Sequence, residues 1–316
     1  MPDFFQTQSM VLRASRDQAP PDMGRHAVGK TFISWLLMWI SLLSPNAPAR
    51  SESASAPAAN DTIPFEIYAG YLLIVHGSLG GLSNLRFAVD TGCTHSLIDR
   101  KLARRLGLSG RPGTVFNFGR SVPVEWVDLP GVQVGPLTVN RATMMVGDLT
   151  YSKAFATQVD VILGLDILRR RNFSIDYRSK QIRMGGLENS EFRVAMNNGP
   201  MFVSVELRLR DRPIRVLVDT GMRGMLLYQD RVGAEVREAK STAALDAFSV
   251  GGGMRVREAI APRVKLGETD LDRTVFLMNG PAPTTLPQID GYLGTSELNA
   301  RRIDFDFRNN TLGWNR

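Results

Sequence analysis

One cysteine, Cys93, stands in 316 residues, so no internal disulfide can staple this chain, and cysteine usage does not set its compartment. Histidine is equally sparse. His26, His76 and His95 are scattered, no Cys/His cluster exists, and neither a zinc site nor any other metal or cofactor is expected. There is no tract of one charge sign. The net charge of +7 is spread along the chain, and the densest basic run, Arg169-Arg170-Arg171, reads as a solvated helix face, so a nucleic-acid partner is not expected. What remains is an ordinary globular composition, 43% hydrophobic and 22% charged, enough to build a real core.

The first sixty residues differ from the rest. Arg25 and Lys30 precede an apolar run at 32–43, and Ala47-Pro48-Ala49 follows it. A basic flank, a short apolar segment and a small-x-small site are the three parts of a secretory signal. The run is shorter than the ~20 apolar residues a spanning helix needs. Residues 1–49 are therefore expected to be a signal peptide, with an uncleaved anchor as the alternative and Met23 as an alternative start. Residues 50–62, rich in Ser, Ala and Pro, read as a disordered linker.

Beyond the linker the chain repeats itself. Phe87-Ala88-Val89-Asp90-Thr91-Gly92 is answered by Val216-Leu217-Val218-Asp219-Thr220-Gly221. An apolar-apolar-Gly triplet follows each copy: Ile162-Leu163-Gly164 and Tyr292-Leu293-Gly294. Gly164 lies 74 residues after Asp90, and Gly294 lies 75 after Asp219. The register continues in Asp176-Tyr177-Arg178 against Asp306-Phe307-Arg308. The halves are placed at 63–188 and 189–316. Short apolar, branched strands punctuated by Gly and Pro dominate both, so the fold class is mainly β. Each Asp-Thr-Gly ends a strand, which sets its carboxylate on a loop held by rigid elements. A short helix is expected over 99–106.

One Asp-Thr-Gly alone is a weak signal, because Asp and Gly favour turns for their own reasons. Two copies in register, each with its Gly triplet, are a strong one. The segment 87–99, with its Asp-Thr-Gly-x-Thr-x-Ser core, resembles the aspartic proteases, particularly the retropepsin-like branch. The second copy, from Asp219 to Leu227, is similar to a looser form found in bacterial aspartyl-protease-like proteins. The resemblance spans both halves. It implies two homologous retropepsin-like β-barrel lobes with a cleft between them, and an aspartic endopeptidase. Asp90 and Asp219 would be its catalytic pair, activating a water. Thr91 and Thr220 would hydrogen-bond across the junction and lock the loops together. Gly92 and Gly221 would permit close backbone approach, and the triplets ending in Gly164 and Gly294 would lie beneath each loop and leave room for it.

Two positions depart from the pepsin pattern. Cys93 and Met222 stand directly after the motif glycines, where pepsin-like enzymes carry a hydroxyl that contacts the carboxylate. Its loss implies a less acidic pair and activity reaching closer to neutral pH. Cys93 and His95 are two residues apart on one loop, poor geometry for a thiol nucleophile, and Cys93 reads as a small packed residue. Candidate flaps lie at 114–124 and 248–256, with Phe118, Gly119, Gly251, Gly252 and Gly253 at their turns; the three glycines are expected to make the second flap mobile. Phe116, Phe118 and Trp126 could line apolar subsites or pack in the core.

The expected partner is a peptide or protein substrate. Nucleic acid is not expected, the membrane only through an uncleaved N-terminal segment, and the chain is expected to be a monomer. The expected location is periplasmic or secreted. The competing class is a peptide-binding module on the same fold that has lost turnover.

Overall fold

The computed structural model describes residues 13–14, 61–117, 120–149, 157–232, 236–238, 244–249, 252–278 and 289–316. The apolar run at 32–43 and residues 50–60 of the expected linker lie outside them, while its last residue, Thr62, opens the strand Thr62–Tyr68 instead. Among the described residues no helix is long and apolar enough to cross a membrane. The architecture is mainly β, with helices of four to six residues between strands.

The sequence repeat is a repeat of strand pairing. In the first half, Leu82–Val89 runs parallel to Val161–Leu163. Leu97–Asp99 crosses on the other side of that strand, antiparallel to it, and runs parallel to Leu137–Gly147. In the second half, Arg212–Asp219 is parallel to Gly291–Gly294, while Met225–Tyr228 is antiparallel to Gly291–Gly294 and parallel to Thr274–Met278. In each half the strand that ends in Asp-Thr-Gly, the strand that leaves it and the Gly-triplet strand are thus woven into one pattern. Both inner strands are buried along their length, as parallel strands covered on two faces must be.

A second device repeats beside the triplets. The Asp160 carboxylate accepts the Arg86 N–H at 2.9 Å, and the Asp160 N–H donates to the Arg86 carbonyl. Asp290 makes the same two bonds with Arg215, at 2.8 and 2.7 Å. Each clamp fixes the register between the motif strand and the triplet strand.

A six-stranded antiparallel sheet joins the halves, in the order Thr62–Tyr68, Gln181–Met184, Phe173–Asp176, Arg302–Asp306, Thr311–Asn315, Phe192–Asn198. Its outer strands continue into the two halves, where Thr62–Tyr68 pairs with Leu72–Leu79 and Phe192–Asn198 with Val203–Leu209. At its centre Phe173 opposes Phe305, the rings stacked with centroids 4.7 Å apart and both fully buried. Burying two Phe side chains there contributes about 3–6 kcal/mol by transfer from water, before any entropy cost.

The expected helix at 99–106 is found as Arg100–Arg105. Asp99 caps it by accepting the Lys101 N–H at 2.9 Å, and Arg104 and Arg105 sit in the last turn where the helix dipole favours cations. The candidate flaps are hairpins. Arg111–Asn117 pairs with Arg120–Val134 up to Asn117 opposite Arg120, and Ala244–Ser249 pairs with Gly252–Ile260 up to Ser249 opposite Gly252. Phe118, Gly119 and Gly251 lie outside the described residues. Gly252 and Gly253 are strand residues, paired with Ser249 and Phe248, rather than members of an open loop.

Candidate active site

Each motif strand ends at its aspartate because the next residues fold back over the triplet. The Asp90 N–H still donates to the Leu163 carbonyl at 3.0 Å, the last rung before the turn. The Asp90 carboxylate then draws the turn around itself: its Oδ1 accepts the Gly92 N–H at 2.8 Å and the Cys93 N–H at 3.1 Å. In the second half, Oδ1 of Asp219 accepts the Gly221 N–H at 2.7 Å.

The two threonines tie the loops together. The Thr91 hydroxyl donates to the Val218 carbonyl at 2.8 Å and accepts the Thr220 N–H at 3.1 Å. The Thr220 hydroxyl donates to the Val89 carbonyl at 2.9 Å and accepts the Thr91 N–H at 3.0 Å. Both side chains are fully buried, at 0% and 1% exposure, so each bond lost would leave a desolvated backbone group without a partner. The four bonds are related by the same two-fold symmetry as the sequence.

The glycines are set by the carboxylate across the junction. A Cβ on Gly92 would collide with both carboxylate oxygens of Asp219, and one on Gly221 would lie 2.6 Å from Cγ of Asp90. Below the loops, a Cβ on Gly164 would meet the Cys93 carbonyl at 2.8 Å, and one on Gly294 the Met222 carbonyl at 2.5 Å. The requirement is space rather than an unusual φ.

Asp90 and Asp219 are hydrogen-bonded to each other, and both are held above the ordinary carboxylate range, first by burial. Asp219 is raised far more. It takes the charge of Asp90 as well as burial, and a single backbone N–H offsets them. Asp90 has two N–H donors and the bond from Asp219 to favour its ionised form. The two N–H donors on Asp90 against one on Asp219 favour the anion on Asp90, and burial of the two carboxyls together favours one proton between them. Coupling makes the two titrations a property of the pair.

Cys93 sends its thiol to the His95 carbonyl at 2.9 Å, away from the carboxylate, and burial with three nearby carboxylates pushes it well above the usual thiol range. It packs partly buried against apolar neighbours. His95 sits edge-on to Trp126, ring centroids 5.0 Å apart. Trp126 and Cys93 both pack against a small apolar cluster that includes Tyr71, Leu72, Leu97, Met145 and Ile162. Met222 is half-buried against the main core.

Three features escaped the sequence reading. Ser96 is fully buried: its hydroxyl donates to Asp166 at 2.7 Å and accepts the Gly164 N–H at 3.0 Å, locking the first loop to its triplet. Tyr71 is buried close enough to feel the charges of both carboxylates, which, after burial, push its phenol up. Arg223, four residues beyond Asp219, is exposed, and its charge acts on Tyr71 and on Glu297. The seven-residue motif visibly contains Ser96; nothing local marks Tyr71.

Residues 75–167, from the strand before the first Asp-Thr-Gly through its Gly triplet, match a family model described as aspartyl protease. No curated protein matches the chain. The family likeness therefore rests on the first half, and the second is tied to it by the repeat in sequence and in strand pairing.

Proposed function

We propose that the protein is an aspartic endopeptidase that hydrolyses peptide bonds with a water activated between Asp90 and Asp219. The observation that carries this reading is the hydrogen-bonded carboxylate pair, held at the junction by the reciprocal Thr91 and Thr220 bonds. Two carboxylates in contact cannot both ionise, so the pair keeps one proton.

The ionised Asp90 takes a proton from the water as it attacks the scissile carbonyl. The protonated Asp219 donates to the carbonyl oxygen as it becomes tetrahedral. Collapse of the intermediate then moves a proton to the leaving amine. The loops need not rearrange during these steps, because the four threonine bonds have already fixed them. Two homologous lobes enclosing a cleft, with the hairpins at 111–134 and 244–260 closing over an extended peptide, complete the reading. No side-chain hydroxyl bonds to Asp90 in the place of Cys93, so the pair should work at higher pH than in pepsin-like enzymes. The basic, apolar and small-x-small features at 25–49 support export to the periplasm or beyond, with a protein or peptide as substrate and a monomer as the working form.

The test is cleavage of a diverse peptide library by residues 50–316 between pH 3 and 8, beside Asp90→Asn and Asp219→Asn. Cleavage by the parent and loss in each variant supports the reading. A folded parent that cuts nothing at any pH, yet retains peptides, favours the inactive binding module. An optimum below about pH 3 contradicts the loss of the acidifying hydroxyl.

A further inference from the structure

The turn after Asp219 carries a cation that the turn after Asp90 lacks. Arg223 occupies the place that Thr94 holds in the first half, four residues beyond the carboxylate. The Thr94 carbonyl is used internally, accepting the Asp166 N–H at 3.1 Å. Arg223 is exposed and makes no hydrogen bond or ion pair among the described residues. Its backbone is nonetheless firmly placed. The next residue, Gly224, takes a positive φ of 84° and its carbonyl accepts the Gly294 N–H at 2.8 Å, so the turn is pinned to the triplet strand.

The neighbours of the guanidinium locate it. Its charge reaches Tyr71, which belongs to the first half and lies at the hairpin between Thr62–Tyr68 and Leu72–Leu79. Tyr71 in turn lies within reach of the charges of both Asp219 and Asp90. Arg223 is therefore an exposed cation on the turn that leaves Asp219, with its charge felt by Tyr71 of the opposite half. Among the described residues its charge also reaches Glu297, which accepts the Gly224 N–H, makes no ion pair with Arg223 and is held above the ordinary carboxylate range first by burial.

We propose that Arg223 is a specificity-determining residue that selects peptides bearing a carboxylate, an Asp or Glu side chain, within about two residues of the bond cut. The inference rests on reading the cleft as a peptide site. A carboxyl pair with one shared proton carries a single negative charge and by itself would disfavour an acidic residue beside it. An unpaired guanidinium offers two parallel donors to a carboxylate and reverses that preference. The other side of the site is lined differently. The cluster that includes Tyr71, Leu97, Met145 and Ile162 is apolar, so a substrate would present an acidic residue to one side and an apolar one to the other. The net charge of +7 draws acidic chains towards the molecule as a whole.

The experiment compares kcat/KM for paired synthetic peptides differing only in Glu against Gln at each position around the cut, using the parent, Arg223→Gln, Arg223→Glu and the distant control Arg308→Glu. Retention of the same peptides on immobilised protein is measured in parallel. The parent should favour Glu at one position. Arg223→Gln should lower the Glu-to-Gln ratio about five- to tenfold, the size of one partly desolvated charge pair, Arg223→Glu should invert it in favour of Gln, and Arg308→Glu should leave the ratio unchanged. Cleavage with no acidic preference, or a preference that survives Arg223→Glu, overturns the inference and leaves the peptidase reading standing. If nothing is cut, the peptidase reading fails, and retention decides this one alone: acidic peptides held by the parent and released by Arg223→Glu support it, and indifference overturns it.

Discussion

The two halves share a strand pattern and differ in what surrounds the carboxylate. Asp90 receives two backbone N–H bonds and sits beside a buried serine and an apolar cluster. Asp219 receives one, is the more buried, and sits near an exposed arginine. Where the halves meet, symmetry holds almost to the bond: the threonine bonds span 2.8 to 3.1 Å in both directions. The symmetric part holds the geometry, and on the proposed reading the asymmetric part is where acid, base and recognition differ. Duplication supplies two equivalent carboxylates; divergence around them gives Asp90 two backbone donors and Asp219 one.

The largest effects should come from breaking the symmetric part. Gly92→Ala and Gly221→Ala each drive a methyl into the opposite carboxylate, and both should lower kcat/KM about a hundredfold or more, since displacements near 1 Å cost that much. Near-normal activity in either variant would show that the carboxylates do not need this spacing. Next in size, Thr91→Val and Thr220→Val each remove a donor and an acceptor from a dry junction. Each should cost about 2–4 kcal/mol in urea unfolding, the two values should agree closely, and Ser at either position should recover most of the loss. A large difference between them would mean that the two halves do not share the junction equally.

The pair of carboxylates, their threonines and the glycines beneath were legible because the repeat marks them twice. A motif that recurs with its triplet at the same distance reports a constraint that one copy cannot. The six-stranded joining sheet was not legible. Alternation in 173–176 and 302–306 shows that strands exist there, but period-2 patterning does not name the partner, and Phe173 meets Phe305 from 132 residues away. The Asp160 and Asp290 clamps lie in the repeat, yet a bond to a backbone N–H leaves no residue-type signal at its other end. The bond between the Ser96 hydroxyl and Asp166 joins two side chains 70 residues apart, and no repeat of either residue in the second half marks it. Gly252 and Gly253, expected at the turn, are strand residues paired with Ser249 and Phe248.

The asymmetric part is tested by positions that correspond in the repeat but not in bonding. Ser96 and Asp166 align with Met225 and Ser296, so the first half's buried pair has no counterpart. Ser96→Ala removes two bonds inside the loop, leaving Asp166 with the Ser96 N–H and the Gly164 N–H without its acceptor, which should cost about 1–3 kcal/mol. The hydroxyl of Ser296 is buried with no partner among the described residues. Ser296→Ala removes a desolvated hydroxyl that earns no bond, so stability should be unchanged or slightly higher. Equal losses at both sites would put a bridging water on Ser296.

The smallest effect is a slope. Asp219 has its proton affinity raised in the folded state above the ordinary value of 3.8. Between that value and its folded one, the native protein binds more protons than the unfolded chain. The derivative of unfolding free energy with pH is then negative, so this contribution to stability is fully present below pH 3.8 and is lost as pH rises through the folded value. Asp219→Asn keeps a donor where the protonated carboxyl had one and removes the titration. Its stability should therefore be flatter than the parent's between pH 4 and 8, with the variant gaining on the parent as pH rises. Asp90→Asn replaces the anion that gathers two N–H bonds and the proton of Asp219, so it should be the less stable of the two variants at neutral pH. Urea unfolding of both across that range decides it. If instead Asp90→Asn were the flatter and more stable variant, the proton would belong on Asp90 and the roles of acid and base would be exchanged.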